Sequence, residues 1–202
     1  MEKVRVYIDG FNMYFGMLSK GLYHCKWLDL YSLSKRLMKP NQQLIQVNYF
    51  TARVRDDPDK QERQNTYLEA LEEQGITIVY GHYQSNQVKC YRCGHIWSNP
   101  KEKMTDVNIS TRLIVHAYRN LYDTALLVSG DSDLIPPIRA VLDNFPEKRI
   151  VAAFPPGRKN NEVAHAVSAY FNIGKRLLER HPLPDQIVKK SGYVLCKPDE
   201  WR

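Results

Sequence analysis

The sequence predicts an α/β fold built on a doubly wound, mostly parallel sheet. Three observations support this prediction. Strand-like and helix-like segments alternate five times, the connections between them are short, and the run 126–128 is apolar throughout, as in a strand buried on both faces. At 202 residues the chain fits one domain that can bury its own core.

In the first half of the chain, alternating or β-branched and aromatic residues indicate strands, and apolar residues three or four positions apart indicate helices. In order, the elements are strand 4–8, helix 11–18, helix 27–38, strand 44–54, helix 61–74 and strand 76–83. Pro40 follows the second helix and Gly75 follows the third, and both residue types end helices.

The second half continues this alternation after one interruption. Residues 85–103 contain two cysteines and break the pattern, and we predict an inserted hairpin there. The elements that follow are helix 105–122, strand 126–128, helix 134–142, strand 149–154 and helix 162–171. Because the last stretch is Pro-rich, we divide the chain into a domain at 1–176, which includes the hairpin, and an extension at 177–202 packed on that domain.

Aspartates stand at the ends of two predicted strands. Asp9 ends the first strand, while Asp131 and Asp133 follow the buried strand in the motif GDSD. In an open parallel sheet the carboxyl ends of the strands form the functional crevice, so we expect these side chains at one rim. Thr105 is expected to cap the next helix, which directs Asp106 in its first turn toward the same rim.

Four carboxylates in so small a space repel one another, by about 1 kcal/mol per close pair in water and about 4 kcal/mol at an effective dielectric of 20. A cation would stabilise them, and oxygen ligands without His or Cys suit Mg²⁺ or Mn²⁺. The alternative is that each aspartate caps a helix or forms a turn. Asn12 and Ser129 either support the carboxylates by hydrogen bonds or are turn residues themselves.

The net charge of +7 and the pI near 9.2 permit attraction of a polyanion. Residues 145–202 carry eleven basic and six acidic side chains. Four basic residues of this flank are candidate phosphate contacts around the acidic rim: Arg158, Lys159, Lys175 and Arg176. No GxGxxG follows the first strand and no GxxxxGK[ST] occurs, so dinucleotide and P-loop sites of those types are not expected.

Cys90 and Cys93 form a CxxC pair followed by a glycine, which is the spacing of a zinc-binding turn. A structural zinc needs four ligands, and a reduced pair without metal is the equal alternative. The candidates for the remaining ligands are His24, Cys25, His82 and His95. Because no secretion signal and no apolar run of about 20 residues occur, we expect a cytoplasmic protein with reduced thiols and no membrane span.

Three segments resemble the NYN domain family of PIN-like nucleases. They are YIDGFNMYF at 7–15, EKMTDVNIST at 102–111 and LLVSGDSDLIPPI at 126–138, and the extension at 177–202 is similar to that of bacterial members. The resemblance implies a flavodoxin-like PIN fold and RNA cleavage that depends on a divalent metal. It places the family's acidic residues, with Asn12 beside the first, at Asp9, Asp106, Asp131 and Asp133.

Two classes of function follow from the residues and the resemblance. The first is an endoribonuclease in which the four aspartates hold one or two Mg²⁺ or Mn²⁺ ions and a metal-bound water attacks RNA. The second is a non-catalytic RNA-binding or adaptor module that keeps the fold, and the presence of all four acids favours the enzyme. A phosphatase on a similar sheet is disfavoured, because the sequence DGFN at 9–12 lacks the second acid of a DxD motif.

Overall fold

Six strands form a central sheet in which every pairing between described residues is parallel. The computed structural model describes residues 1–55 and 57–201, and at 83–86 and 98–102 the description covers the backbone alone. The strands are β1 (Glu2–Asp9), β2 (Gln42–Thr51), β3 (Thr77–Tyr80), β4 (His82–Lys89), β5 (Ile96–Lys103), β6 (Thr124–Val128), β7 (Arg149–Phe154), β8 (Ala169–Asn172), β9 (Gln186–Val188) and β10 (Val194–Cys196).

Helices connect most of the parallel strands and cover both faces of the sheet. They are α1 (Gly10–Ser19), α2 (Leu30–Leu37), α3 (Pro58–Glu73), α4 (Thr105–Tyr118), α5 (Ile135–Asn144), α6 (Asn161–Ala166) and α7 (Lys175–Glu179). Short 3-10 turns lie at Tyr23–Cys25, Ser132–Leu134 and Asp199–Trp201.

The strand order in the central sheet is β3-β2-β1-β6-β7-β8. The order reverses between β1 and β6, which is the defining feature of a doubly wound sheet and marks the place where such folds bind ligands. The fold class predicted from the sequence is therefore confirmed.

The core lies in two layers, one on each face of the sheet. Successive residues of β1 point to opposite faces, so that Val6 and Ile8 join one layer and Tyr7 joins the other. The first layer is covered by α1, α2, α3 and α7, and the second by α4, α5 and α6. Helices from both layers consequently reach the same edge of the sheet.

Three predicted helices differ from the structure, and the one predicted at 105–122 ends at Tyr118. The helix predicted at 27–38 begins at Leu30, because the Asp29 carboxylate accepts a hydrogen bond from the Ser32 backbone N–H at 2.7 Å and caps it. The helix predicted at 162–171 ends at Ala166, and the rest of that segment forms the edge strand β8 on β7. A short apolar run fits either element, and pairing with the open edge of the sheet decides the outcome.

The strands β4 and β5 pair antiparallel as a separate two-stranded sheet, with His82 opposite Lys103 and Lys89 opposite Ile96. The connection between them carries the CxxC pair, and the Cys90 N–H donates to the His95 carbonyl at 2.8 Å. This sheet is inserted between β3 and α4, outside the alternation of the central sheet.

Residues after α7 contact the first face of the domain through Trp27. The Trp27 indole N–H donates to the Pro184 carbonyl at 2.8 Å, and the Leu183 N–H donates to the Trp27 carbonyl at 3.0 Å. Leu183 and Leu195 join Trp27 in a third apolar cluster. The division of the chain at residue 176 stays a prediction.

Within the described residues, no helix combines the length and apolarity that crossing a bilayer requires.

Candidate metal centre

The candidate centre lies at the switch point of the sheet, where β1 and β6 run side by side. Ile8 pairs with Val128, so the residues that follow these two strands emerge next to each other. Those residues are Asp9 on β1 and the sequence Ser129-Gly130-Asp131 after β6. Parallel pairing alone therefore brings two carboxylates together from positions more than a hundred residues apart.

Three carboxylates meet at this point. Asp9, Asp106 and Asp131 each offer an oxygen atom, and these atoms lie within 4.8 Å of one another. Asp9 is 4% exposed, whereas the other two are partly exposed. Together with Asn12 they line a cavity of about 160 Å³, which we call the acidic cavity.

One buried hydroxyl connects two of the three carboxylates. The Ser129 hydroxyl donates to Asp9 Oδ2 at 2.9 Å, and its oxygen accepts a hydrogen bond from the Asp131 backbone N–H at 3.1 Å. Asp131 also caps the following 3-10 turn, because its Oδ1 accepts from the Asp133 N–H at 3.0 Å. Capping and clustering therefore coexist at Asp131, and the two interpretations made from the sequence do not exclude each other.

Asn12 joins the ends of the two strands from the side of α1. Its backbone N–H donates to Asp9 Oδ1 at 2.9 Å, and its side-chain oxygen accepts from the Gly130 N–H at 3.1 Å. Asp9 thus holds the start of α1 through one carboxylate oxygen and Ser129 through the other. These bonds fix the orientation of its carboxylate.

Asp106 reaches the centre from the opposite face of the sheet, in the first turn of α4. The residue that precedes this helix is Met104, at a φ of 77°, and no side chain caps the helix there. Thr105 was expected to be the capping residue and instead begins the helix, buried at 2% exposure in the wall of the acidic cavity. A carboxylate in a first helical turn is favoured by the helix dipole.

Asp133 lies beside this group and does not belong to it. Its side chain is exposed and lines a neighbouring depression together with Asp106 and Ser110. The role of Asp133 as a fourth ligand stays a prediction.

Arg158 is the basic residue that the structure brings into the acidic cavity. Its Nε is buried and has no hydrogen-bond partner among the described residues. Its backbone carbonyl packs against Gly130 so closely that a Cβ at position 130 would come within 1.9 Å of that oxygen. Contact between these two loops therefore sets where the guanidinium stands, and it requires glycine at position 130.

The other three predicted phosphate contacts lie outside the acidic cavity. Lys159 is exposed, with its ammonium 5.1 Å from the centre of the Tyr170 ring. Lys175 is 3.5 Å from Glu179, and Arg176 is exposed on the same short helix α7. Their contact with RNA stays a prediction.

The structure does not gather the zinc ligands considered from the sequence. Among the side chains that are described, no third donor joins Cys90 and Cys93. Cys25 is buried in the core, and His82 begins β4, roughly 25 Å along the strand from the cysteines at about 3.3 Å per residue. Hydrogen bonds from the backbone N–H groups of Cys93 and Arg92 lower the pKa of the Cys90 thiol. Zinc at this turn stays a prediction.

Aromatic residues beside the centre were not expected from the sequence. Phe11 and Phe15 line the acidic cavity from α1, their rings 6.3 Å apart and stacked, and Phe15 is 48% exposed. Their spacing of four residues on a helix is the signal that could have found them, because it puts both rings on one face. The same spacing is typical of core residues, so the sequence alone does not separate the two cases.

The fold and the centre together define a class: doubly wound α/β proteins with a carboxylate cluster at the switch point of the sheet. The model of the NYN domain family matches residues 3–174, and the chain belongs to that family. The resemblance found in the three sequence motifs is thereby confirmed.

Two further proteins are similar to this chain. A curated relative, 6-hydroxy-3-succinoylpyridine 3-monooxygenase HspA of Pseudomonas putida, is 25% identical over an alignment of 241 positions, which covers 98% of this chain and 75% of the relative. A crystal structure of a protein of unknown function, VPA0982 of Vibrio parahaemolyticus, matches with a TM-score of 0.60 and 17% identity, over 86% of this chain and 94% of that one. The second likeness supports the fold alone.

Proposed function

We propose that this protein is a divalent-metal-dependent endoribonuclease that hydrolyses RNA phosphodiester bonds, with Mg²⁺ or Mn²⁺ as its cofactor. The observation that carries the proposal is the meeting of Asp9, Asp106 and Asp131 within 4.8 Å at the switch point of the sheet. Membership of a family of PIN-like nucleases supports the same reaction class. The four free thiols are compatible with the cytoplasmic location that we also propose.

The donor set fits a hard divalent cation. All three groups are carboxylates, and no His or Cys side chain belongs to the cluster within the described part of the chain. Oxygen ligands suit Mg²⁺ and Mn²⁺, whereas iron centres that activate oxygen commonly use two histidines and one carboxylate. When bound, such a cation lowers the pKa of a water molecule and neutralises charge that develops on the phosphodiester.

Three residues around the acidic cavity orient the carboxylate of Asp9 and supply a positive charge for an anionic substrate. Ser129 and Asn12 fix the two oxygens of Asp9, so that its lone pairs are directed before any ligand arrives. Arg158 lines the same cavity with an unpartnered Nε, and a guanidinium there can donate to the non-bridging oxygens of a phosphate. Opposite charges in one cavity serve a metal ion and a phosphate at the same time.

A non-catalytic RNA-binding module is the alternative function. It would need the fold and the basic side chains and would not need Asp9, Asp106 and Asp131 to cluster. The repulsion among the clustered carboxylates has no use in such a module, so the acidic cavity favours the enzyme.

The monooxygenase name of the Pseudomonas relative suggests a third reaction, hydroxylation of an aromatic ring. That chemistry needs dioxygen and a source of electrons, and the all-carboxylate cluster is better suited to hydrolysis. Cleavage of RNA separates the two reactions directly.

The experiment is cleavage of a panel of end-labelled single-stranded and hairpin RNAs in Mn²⁺, in Mg²⁺ and in EDTA. We expect internal cuts with either metal, none in EDTA, and recovery when Mn²⁺ is added back in excess of the chelator. Products of unchanged length in all three conditions, from protein that melts cooperatively, would refute the nuclease. Binding of the same RNAs without cleavage would then support the module.

A further inference from the structure

A second cavity, of about 430 Å³, lies against α1 next to the acidic cavity. Phe11 and Phe15 line both, so the two spaces share a wall. The volume is within the range of sites that hold small molecules or single nucleotides. We call it the aromatic cavity.

Aromatic rings from four separate parts of the chain face this space. Besides the two phenylalanines they come from α1, β2, α3 and the C-terminal 3-10 turn, as Tyr14, Tyr49, Tyr67 and Trp201. Tyr67 meets Tyr49 and Trp201 edge to face, with ring centres 6.4 and 6.0 Å apart. Rings held by different elements at right angles form a rigid slot for a flat molecule.

Tyr49 carries a polar group into this slot. The residue is 8% exposed, and its hydroxyl makes no hydrogen bond with a described residue, whereas the Tyr67 hydroxyl donates to the Leu28 carbonyl at 2.9 Å. Its ring packs against Gly10, where a Cβ would come within 2.6 Å of the hydroxyl oxygen. Burial, and secondly the charge of Asp9, raise the pKa of Tyr49, so the hydroxyl stays a donor. An unused donor in an aromatic slot is suited to a ring that bears acceptor atoms.

The cavity also holds positive charge. Lys26, Lys60 and Arg63 all line it. Lys60 is paired with Asp57 and Arg63 with Glu200, each at 2.7 Å, but Lys26 forms no ion pair within the described part of the chain. Lys26 lies over the Tyr14 ring at 5.9 Å, and burial, together with the charge of Arg63, lowers its pKa. An anion bound here would offset the repulsion between the charges of Lys26 and Arg63.

We propose that the aromatic cavity binds one unpaired base of the RNA strand, adjacent to the phosphodiester in the acidic cavity, with a neighbouring phosphate near Lys26. The inference rests on the proposed function and adds to it a binding site for one base. A flat ring with acceptor atoms and an attached anion matches the aromatic walls, the Tyr49 hydroxyl and the unpaired ammonium together. A base that is paired in a duplex cannot enter such a slot, so we expect only an unpaired base to bind in the aromatic cavity.

The test is binding of a fluorescent single-stranded RNA of about eight nucleotides, measured by anisotropy in EDTA so that binding does not depend on cleavage. An abasic nucleotide is moved through the sequence one position at a time. We expect one position at which loss of the base weakens binding about tenfold, as for removal of one stacked base. In Tyr14→Ala we expect intact RNA to bind about tenfold more weakly, and the abasic position to lose its effect.

The chain offers a matched control. Tyr31 is 38% exposed with Lys35 above its ring at 5.6 Å, and Tyr14 is 37% exposed with Lys26 above it, but Tyr31 lies outside the cavity. Tyr31→Ala should keep both the affinity and the abasic effect of the wild type. Lys26→Gln, set against Lys35→Gln, repeats the test by removing charge alone.

Several results would overturn the inference. These are no RNA binding, no sensitive abasic position, the same abasic effect in Tyr14→Ala as in the wild type, or displacement of the RNA by ribose 5-phosphate or salicylate as readily as by a mononucleotide. Cleavage in Mn²⁺ is measured separately on the same variants. If Tyr14→Ala and Tyr31→Ala cut RNA and bind RNA to the same extent, the base site is refuted and the proposed nuclease is retained. If the wild type binds RNA in a base-dependent manner but never cuts it, the nuclease is refuted and the base site is retained.

Discussion

Buried charges lie at both ends of the strands in the central sheet, at the edge formed by their amino ends and at the edge formed by their carboxyl ends. The surroundings of the two charges differ. At the edge where β7 begins, Lys148 is 4% exposed, and its ammonium donates to Asn120 Oδ1 at 2.8 Å and to the Tyr122 carbonyl at 2.9 Å. At the other edge, Asp9 is equally buried but has two further carboxylates within 4.8 Å. The Lys148 ammonium donates to two neutral oxygens and has the Glu147 carboxylate 3.8 Å away, whereas the Asp9 carboxylate lies beside two further carboxylates.

The difference indicates which edge stabilises the fold and which one is available to a ligand. A buried ammonium that donates to oxygen atoms of the fold stabilises the folded chain and is not available to a ligand. A buried charge beside like charges lowers stability until a cation arrives, so its binding capacity is retained. Substitutions at the two edges should therefore separate stability from activity.

The largest effect is expected for Asp131→Asn, which removes one of the clustered charges and keeps the shape of the side chain. RNA cleavage should fall at least about a hundredfold, since loss of a metal ligand exceeds loss of a group that only orients one. Without metal the variant should melt at or above the wild-type temperature, and Mn²⁺ should stabilise the wild type more than the variant. Asp143→Asn, at an exposed position of α5, is the control. Wild-type cleavage by Asp131→Asn would remove this residue from the centre.

Gly130→Ala should lower both stability and activity, because Gly130 packs tightly against the loop that carries Arg158 and also lies beside the acidic cavity. The added Cβ would meet the Arg158 carbonyl at 1.9 Å, and the backbone must move to accept it. We expect a loss of at least about 1–3 kcal/mol in the free energy of unfolding, and weaker RNA binding as Arg158 is displaced. Gly174→Ala, where nothing lies within 4 Å of the new Cβ, should change both quantities much less, although Gly174 precedes α7 and alanine is a poorer N-cap than glycine. Equal behaviour of the two variants in urea titrations would show that the contact is unimportant.

Lys148→Met should lower stability without lowering activity. It leaves the Tyr122 carbonyl and the Asn120 side chain without their donor, at a cost of about 1–3 kcal/mol. The cleavage rate of the folded variant in Mn²⁺ should equal that of the wild type, and the exposed Lys190→Met serves as the control. If cleavage falls by more than the fraction of folded protein does, Lys148 affects activity as well as stability, and the two edges do not have separate roles.

Arg158→Gln and Lys159→Gln test how far the binding surface extends beyond the acidic cavity. Arg158 lines the cavity and Lys159 does not, so the first variant should weaken RNA binding more. Each phosphate contact that is lost should reduce the slope of log K against log salt by about 0.7 for a single strand. An unchanged slope in the double variant, measured from 50 to 300 mM salt at about 25 °C, would place the RNA elsewhere.

The smallest effect concerns His116, near the end of α4 away from Asp106. Burial, followed by the charges of Arg5, Arg112 and Arg119, lowers its pKa to about 4. The unfolded chain takes up this proton first as the pH falls, so the stability that neutral His116 contributes is complete above about pH 6.5 and is lost toward pH 4.

His116→Gln keeps an acceptor for the Tyr7 hydroxyl, which lies 2.8 Å from His116 Nδ1. The free energy of unfolding of the wild type should therefore fall by about 1 kcal/mol more than that of the variant between pH 7 and pH 4.5. Parallel pH curves for the two proteins would contradict the assignment.

The positions of Asp9 and Asp131 could be predicted because they depend on the backbone. A parallel sheet brings the carboxyl ends of its strands to one edge whatever the side chains are, and an acid directly after a strand must appear there. Asp106 could be predicted for a similar reason, since a helix that follows an insertion begins at the same edge.

The aromatic cavity could not be predicted in this way. Tyr49 has the pattern of a core residue in a strand, and only the packing of α1, α3 and the C-terminal turn around it leaves a space. Residues 169–171 are predicted as helix but form part of β8, because pairing along a sheet edge is a tertiary interaction that so short a run does not encode. Arg158 was proposed from charge alone, and its place depends on a glycine contact that no local pattern reveals.

The long sequence separation between β1 and β6 has a consequence for biosynthesis. The two strands that carry Asp9 and Asp131 are neighbours in the sheet, but the ribosome makes β1 well over a hundred residues before β6. A nascent chain that ends before Asp131 lacks one of the three carboxylates, and closing so long a loop is slow compared with local folding. The growing polypeptide therefore cannot assemble the centre until the ribosome has passed Asp131, long after Asp9 has been made.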